Sequence, residues 1–125
     1  MENVLITGNM GYIGPVLTQY LHRGDGDYRL YGYDSGFFAH CLTTLDGQPE
    51  RALAAQHFGD LRSFDAAILD GVGAVVHLAA ISNDPIGNAF AQVTEQINIT
   101  ASVDFARQAK AAGVRRFVFA SSCSV

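Results

Sequence analysis

Thr7-Gly8-Asn9-Met10-Gly11-Tyr12-Ile13-Gly14 follows directly on the apolar run Val4-Leu5-Ile6, and this junction decides how the rest of the chain is read. A buried strand that ends in a glycine-rich bend and opens a helix leaves backbone N–H groups free at the positive end of the helix dipole. A pyrophosphate is stabilised there. Gly8 would make the tight turn, Gly11 would let the backbone approach a phosphate, and Gly14 would let the first helical turn press against a strand. The spacing Gly-x-x-Gly-x-x-Gly is one residue longer in its first gap than the dinucleotide-binding fingerprint. With 13 glycines in the chain, an ordinary strand-to-helix turn has the same look, so the surroundings must decide. Ile13, Leu17, Tyr20 and Leu21 recur at helical spacing as one apolar stripe, and Pro15 falls in the first helical turn, where it is tolerated.

Outward from this turn, strand and helix alternate. Strand 3–7 and helix 12–23 are followed by the turn Gly24-Asp25-Gly26-Asp27 and a second strand from Tyr28 to Tyr33, ending at Asp34. Residues 35–55 carry no clean period; Phe37, Phe38 and Leu42 could form one short helical piece and Ala52 to Ala55 another. Gln56 to Gly59 reads as a short third strand, and Ser63 as the cap of a helix reaching about Leu69. Gly73-Ala74-Val75-Val76-His77-Leu78 has the continuous apolar character of a buried parallel strand. A long helix from about Asn88 to Ala112 ends at Gly113, before a fifth strand from Arg116 to Ala120. Such alternation implies right-handed βαβ units: an α/β fold with a Rossmann-type doubly wound parallel sheet in the order 3-2-1-4-5.

At 125 residues the chain is one domain at most. A formal charge of −4, the single lysine Lys110 and the lack of a basic run argue against nucleic acid or an anionic membrane as partner, which leaves a small molecule. Cys41 and Cys123 stand far apart without a CxxC or a His cluster, so neither a disulfide framework nor a zinc site is indicated, and a reducing, cytoplasmic setting fits. No apolar run approaches the roughly 18 residues that span a bilayer.

In a sheet of this kind ligands lie beyond the carboxyl ends of the strands. Those ends carry Gly8, Asp34, Asp60, Ala79-Ala80 and Ser121-Ser122, all polar or small. Asp34 stands 20 residues after Gly14, where a carboxylate accepts from both ribose hydroxyls of an adenosine and repels a 2′-phosphate. NAD is thereby favoured over NADP. Asp60 could accept from the adenine amino group or simply belong to a Gly59-Asp60 turn.

Thr7-Gly8-x-x-Gly11-Tyr12-Ile13-Gly14, Asp34, Gly59-Asp60-Leu61-Arg62, His77-Leu78-Ala79-Ala80, Asn98 and Ser121-Ser122-x-x-Val125 together resemble the extended short-chain dehydrogenase/reductases, specifically the NAD-dependent epimerase/dehydratase family acting on nucleotide sugars. The resemblance spans nearly the whole chain and rests on six motifs in order. It implies that Gly8, Gly11, Tyr12, Ile13 and Gly14 wrap the pyrophosphate, that Asp34 with the following Ser35 meets the adenosine ribose, and that Asp60 and Leu61 flank the adenine. Leu78, Ala79 and Ala80 would lie on the nicotinamide side, and Ser121 would also be a cofactor-binding residue. Ser122 would hydrogen-bond the sugar hydroxyl being oxidised, as a donor and not a nucleophile. The family's proton acceptor is the tyrosine of a later Tyr-x-x-x-Lys pair, its pKa lowered by the lysine ammonium.

No Tyr-x-x-x-Lys occurs in these 125 residues. The expectation is therefore an N-terminal part of a longer protein: an NAD-binding domain over 1–125, cut after the fifth strand, without the substrate-binding part and unable to turn over substrate alone. The partners that the resemblance implies are a nucleotide sugar and, through the second apolar stripe Ile99, Val103 and Ala106, a second copy of the chain as a homodimer. Related sugar 4,6-dehydratases place Asp-Glu after the catalytic hydroxyl residue, where this chain has Cys123-Ser124, so dehydration is disfavoured. Ser35-Gly36-Phe37-Phe38 departs from the asparagine-rich ribose loop of many epimerases. Ser82-Asn83-Asp84 reads better as a turn into Pro85 than as a substrate contact. His77 reads as a neutral imidazole bonded to backbone, and Asn98 as an amide supporting the site from beside the sheet-facing stripe Phe90, Ile97, Ala101, Phe105 and Ala112, or as a purely structural one. A non-catalytic NAD-binding sensor on the same fold is the other function class that these residues allow.

Overall fold

The computed structural model describes residues 1–37, 49–81 and 90–121. Ser122, Cys123 and Ser82-Asn83-Asp84 lie outside the described residues. Five parallel strands, β1 (Glu2–Thr7), β2 (Tyr28–Asp34), β3 (Leu53–Phe58), β4 (Ala74–His77) and β5 (Arg116–Phe119), form one sheet in the order β3-β2-β1-β4-β5. This is the doubly wound order expected from the strand and helix alternation.

The apolar run of β1 is continuous because both of its faces are covered. Val4 and Ile6 look to one side with Leu30, where Leu17 and Leu21 of helix α1 (Gly14–Arg23) pack on them. Leu5 looks to the other, into a cluster with Val75, Leu69, Phe64 and Phe105. Full burial of a side chain such as Leu5 or Phe105 contributes about 1.5–3 kcal/mol, so the two-sided core is what holds the central strands in register.

The second face is closed by a long helix in three parts: α2 (Ala91–Glu95), a π-helical segment (Gln96–Ala101) and α3 (Ser102–Ala111). Its buried stripe is Ala101, Phe105 and Ala109, while Phe90 and Ala112, expected on that stripe, are exposed. Ile99 and Val103 are exposed on the other side, as the second stripe requires.

Three local expectations are corrected. The piece from Ala52 to Ala55 is strand from Leu53 onward, because Leu53 and Ala55 pair with Leu30 and Tyr31 of β2. Ser63 caps no helix: Asp60 and Asp65 each accept the N–H two residues ahead, from Arg62 and Ala67, and split the segment into two short 3-10 turns around an extended Phe64. In α1, Ile13 and Tyr20 are exposed, and the inward positions beside Leu17 and Leu21 are Gly14 and Thr18. Among the described residues no helix is long and apolar enough to cross a membrane.

Candidate functional site

The register places Thr7 beside Tyr33 and His77, Asp34 beside Phe58, and His77 beside Phe119, so the carboxyl ends of all five strands open onto one rim. The glycine turn lies at its centre. Gly8 has φ +70°, donates its N–H to the Tyr33 carbonyl at 2.8 Å, and a Cβ there would stand 2.7 Å from the backbone N of Ala79. No residue with a side chain fits that crossing. At Gly11 an added Cβ would meet only the Gly8 carbonyl, at 3.2 Å, and otherwise open space. At Gly14 a Cβ would run into the backbone of Asn9, so this glycine closes the turn on itself and not, as expected, against a strand. Helix α1 then starts with no side-chain cap, and Pro15 in its first turn carries no N–H. Within the turn Gly8, Met10 and Gly11 spend their N–H groups on the Tyr33 carbonyl, Asp34 Oδ2 and the Gly8 carbonyl, so a donor set for an anion falls to the uncapped start of the helix at Tyr12 and Ile13.

Asp34 is bonded into this turn. Its Oδ2 accepts the Met10 N–H at 3.0 Å and its Oδ1 the Gly36 N–H at 2.7 Å, which orients the carboxylate at the rim beside the glycines. Tyr12, 99% exposed, and Ile13 project from the turn. Ser35 is exposed and its Oγ accepts the Phe37 N–H.

The depth of the turn is set by residues the sequence reading did not single out. Asn9 is buried and forms an amide pair with Gln56, Nδ2 to Oε1 at 2.6 Å and Nε2 to Oδ1 at 3.2 Å. Gly32 in β2 makes room for it: a Cβ there would strike both amides. A glycine inside a strand is the one local sign of such a close approach.

At the end of β3 the Asp60 carboxylate accepts from the Arg62 backbone N–H at 2.9 Å and from its guanidinium, and Arg62 holds its pKa below the usual carboxylate range. The turn reading of Asp60 thus has a geometric basis. Its carbonyl accepts the Tyr33 hydroxyl at 3.0 Å, and a Cβ at Gly59 would sit 2.5 Å from that hydroxyl oxygen, so a side chain there would force the Tyr33 ring to shift. Burial raises the Tyr33 pKa, with Asp60 and Asp65 adding to the effect. Leu61 is buried in the core.

On the far side, Leu78 donates its N–H to the Thr7 carbonyl at 3.0 Å, and Ala79 its N–H to Thr7 Oγ1 at 3.4 Å. Asn98, in the π-helical segment, clasps Ile81: its Oδ1 accepts the Ile81 N–H and its Nδ2 donates to the Ile81 carbonyl, both at 2.8 Å. The backbone partner expected for Asn98 is therefore the residue just beyond Ala79-Ala80. His77 is fully buried, with Nδ1 2.6 Å from Thr7 Oγ1 and Nε2 2.9 Å from Ser102 Oγ. Its partners are side chains, where backbone was expected. Burial lowers its pKa to about 4, so it is neutral at physiological pH. Ala80 and Ser121 are exposed at the rim. Among the described residues no three His, Cys, Asp or Glu side chains converge to hold a metal ion.

Comparison with known proteins adds what geometry alone does not. The model of the "NAD dependent epimerase/dehydratase family" matches residues 4–125. The curated 3 beta-hydroxysteroid dehydrogenase/Delta 5-->4-isomerase of Mycobacterium tuberculosis is 28% identical over 136 aligned residues, which take in 100% of this chain and 33% of the relative. The UDP-N-acetylglucosamine 4-epimerase of Methanobrevibacter ruminantium superposes with a TM-score of 0.77 at 26% identity, over 99% of this chain and 39% of the epimerase. The dTDP-glucose 4,6-dehydratase DesIV of Streptomyces venezuelae, solved with NAD bound, gives 0.74 at 30% identity over 92% of this chain and 38% of its own. The chain spans a third or little more of each of these proteins.

Proposed function

The chain belongs to the NAD-dependent epimerase/dehydratase family, and from that premise we propose that it is the cofactor-binding part of an enzyme that epimerises a nucleotide sugar by oxidising and re-reducing one of its carbons. The observation that supports this reading is the bond from Asp34 into the glycine turn, since a carboxylate beside such a bend is what an adenosine ribose and its pyrophosphate require. When bound, NAD supplies the hydride acceptor and donor. The chain's own residues would bind and orient it: the amides of Tyr12 and Ile13 at the helix start would meet the pyrophosphate, with Gly11 leaving room for it, Asp34 would accept from the adenosine ribose, and Ala79 and Ala80 would present small side chains toward the nicotinamide side. Ser122 donates a hydrogen bond to the reacting sugar hydroxyl.

A nucleotide sugar is favoured by the likeness to the Methanobrevibacter ruminantium epimerase, and epimerisation over dehydration by Cys123-Ser124 in place of Asp-Glu. The exposed Ile99 and Val103 support a homodimeric contact through the long helix. The test uses the protein that carries this chain and a UDP-sugar deuterated at the carbon to be inverted. Epimerised product that keeps its deuterium, with a transient reduced-nicotinamide absorbance, is expected. Deuterium lost to solvent, with no such absorbance, would overturn the hydride route. Turnover of a 3β-hydroxysteroid instead would change the substrate class and leave the cofactor assignment standing.

A further inference from the structure

We propose that His77, pinned between Thr7 and Ser102, is a positioning residue that fixes the segment from Leu78 to Ile81 over the glycine turn and so sets where the nicotinamide end of the dinucleotide rests. The proposal rests on the NAD-binding reading above.

The hydrogen bonds around His77 run in one direction only. Ser102 Oγ donates to the Ile97 carbonyl at 2.9 Å, so toward His77 it can only accept, and the ring proton must sit on Nε2. Nδ1 is then bare and accepts the Thr7 hydroxyl proton. The Thr7 oxygen in turn accepts the Ala79 N–H. One ordered chain therefore runs from the long helix through β4 and β1 to the segment beyond β4.

A buried histidine is not required to fill this space. Leu5 and Val75 do so on the neighbouring positions of the same core, and the ring already packs against Phe105 and Phe119 at 5.2 and 5.9 Å. What the imidazole adds is direction, because its protonated Nε2 only donates and its bare Nδ1 only accepts. The consequence falls on Ala79, whose backbone N would lie 2.7 Å from a Cβ at Gly8. The segment and the phosphate turn are thus in backbone contact, and Thr7 binds the segment twice, through its carbonyl to Leu78 and its hydroxyl to Ala79.

The experiment compares NAD with ADP-ribose, which keeps both phosphates and both riboses and lacks the nicotinamide. Dissociation constants are measured by calorimetry on the wild-type chain and on Thr7→Val, Thr7→Ser and Ser102→Ala. Loss of one link of the relay should weaken NAD about five- to tenfold and leave ADP-ribose within about twofold, the scale of one buried hydrogen bond. Thr7→Ser, which keeps the hydroxyl, should restore NAD binding. Equal weakening of both ligands, or no change in either, overturns the proposal. Should the variants not fold, the nitrogen-15 shifts of His77 in the wild type still decide: a neutral ring protonated on Nε2 supports the relay, and the Nδ1 tautomer or a charged ring overturns it. Wild-type chain that binds neither ligand would refute the NAD-binding reading itself, whereas wild-type binding with indifferent variants refutes only the relay.

Discussion

Asp34 Oδ2 accepts the Met10 N–H at 3.0 Å, so the carboxylate at the end of β2 is part of the glycine turn that follows β1. The side chain proposed to meet the ribose therefore also holds the shape of the turn.

Asp34→Ala should weaken NAD binding at least about tenfold while lowering stability by about 1–3 kcal/mol, the cost of leaving the Met10 and Gly36 amides without their acceptor. Calorimetric titration and a denaturant melt of the same variant separate the two effects. Unchanged NAD affinity would mean that the carboxylate serves the turn only.

Gly32→Ala should destabilise the chain by about 1–3 kcal/mol, the usual cost of overpacking, because a Cβ there strikes the Asn9–Gln56 pair. Combining it with Asn9→Ala should recover part of the loss, since both act on one small space. Strict additivity in the double-mutant cycle would show that Gly32 is glycine for some other reason.

His77 gives stability a pH dependence of known sign. Its folded pKa of about 4 lies below the unfolded value near 6.5, so between those limits the unfolded state binds the proton first and stability falls as pH falls. The loss by pH 4 is about 3 kcal/mol at 1.36 kcal/mol per unit. Above pH 6.5 this group contributes no slope. Chemical denaturation across pH 4–7 should show the decline, and His77→Phe should flatten it.

Arg62→Gln should leave stability nearly unchanged, since the Asp60–Arg62 pair is exposed and screened by solvent. A larger loss in a thermal melt would show that the guanidinium does more than cover Asp60.

The glycine turn, Asp34 and the strand order were legible because each follows from short spacing and from the change between strand and helix period. Asn98 was legible in part: its place beside the buried stripe required a backbone partner near β4, and Ile81 is that partner. The Asn9–Gln56 pair was not, because it joins residues 47 apart in sequence through a gap that exists only once β2 and β3 lie side by side. The start of β3 at Leu53 likewise depends on pairing with β2, against local residues that read as helical. Ile13 and Tyr20 matched the helical period yet face outward, since Gly14 and Thr18, small enough for close contact, took the inner positions.

The most direct test of the central claim is a calorimetric titration of this chain with NAD and with NADP. Saturable binding of NAD and at least about tenfold weaker binding of NADP are expected, because the Asp34 carboxylate would face the 2′-phosphate. Equal affinity for the two, or no binding of NAD by the folded chain, would contradict it.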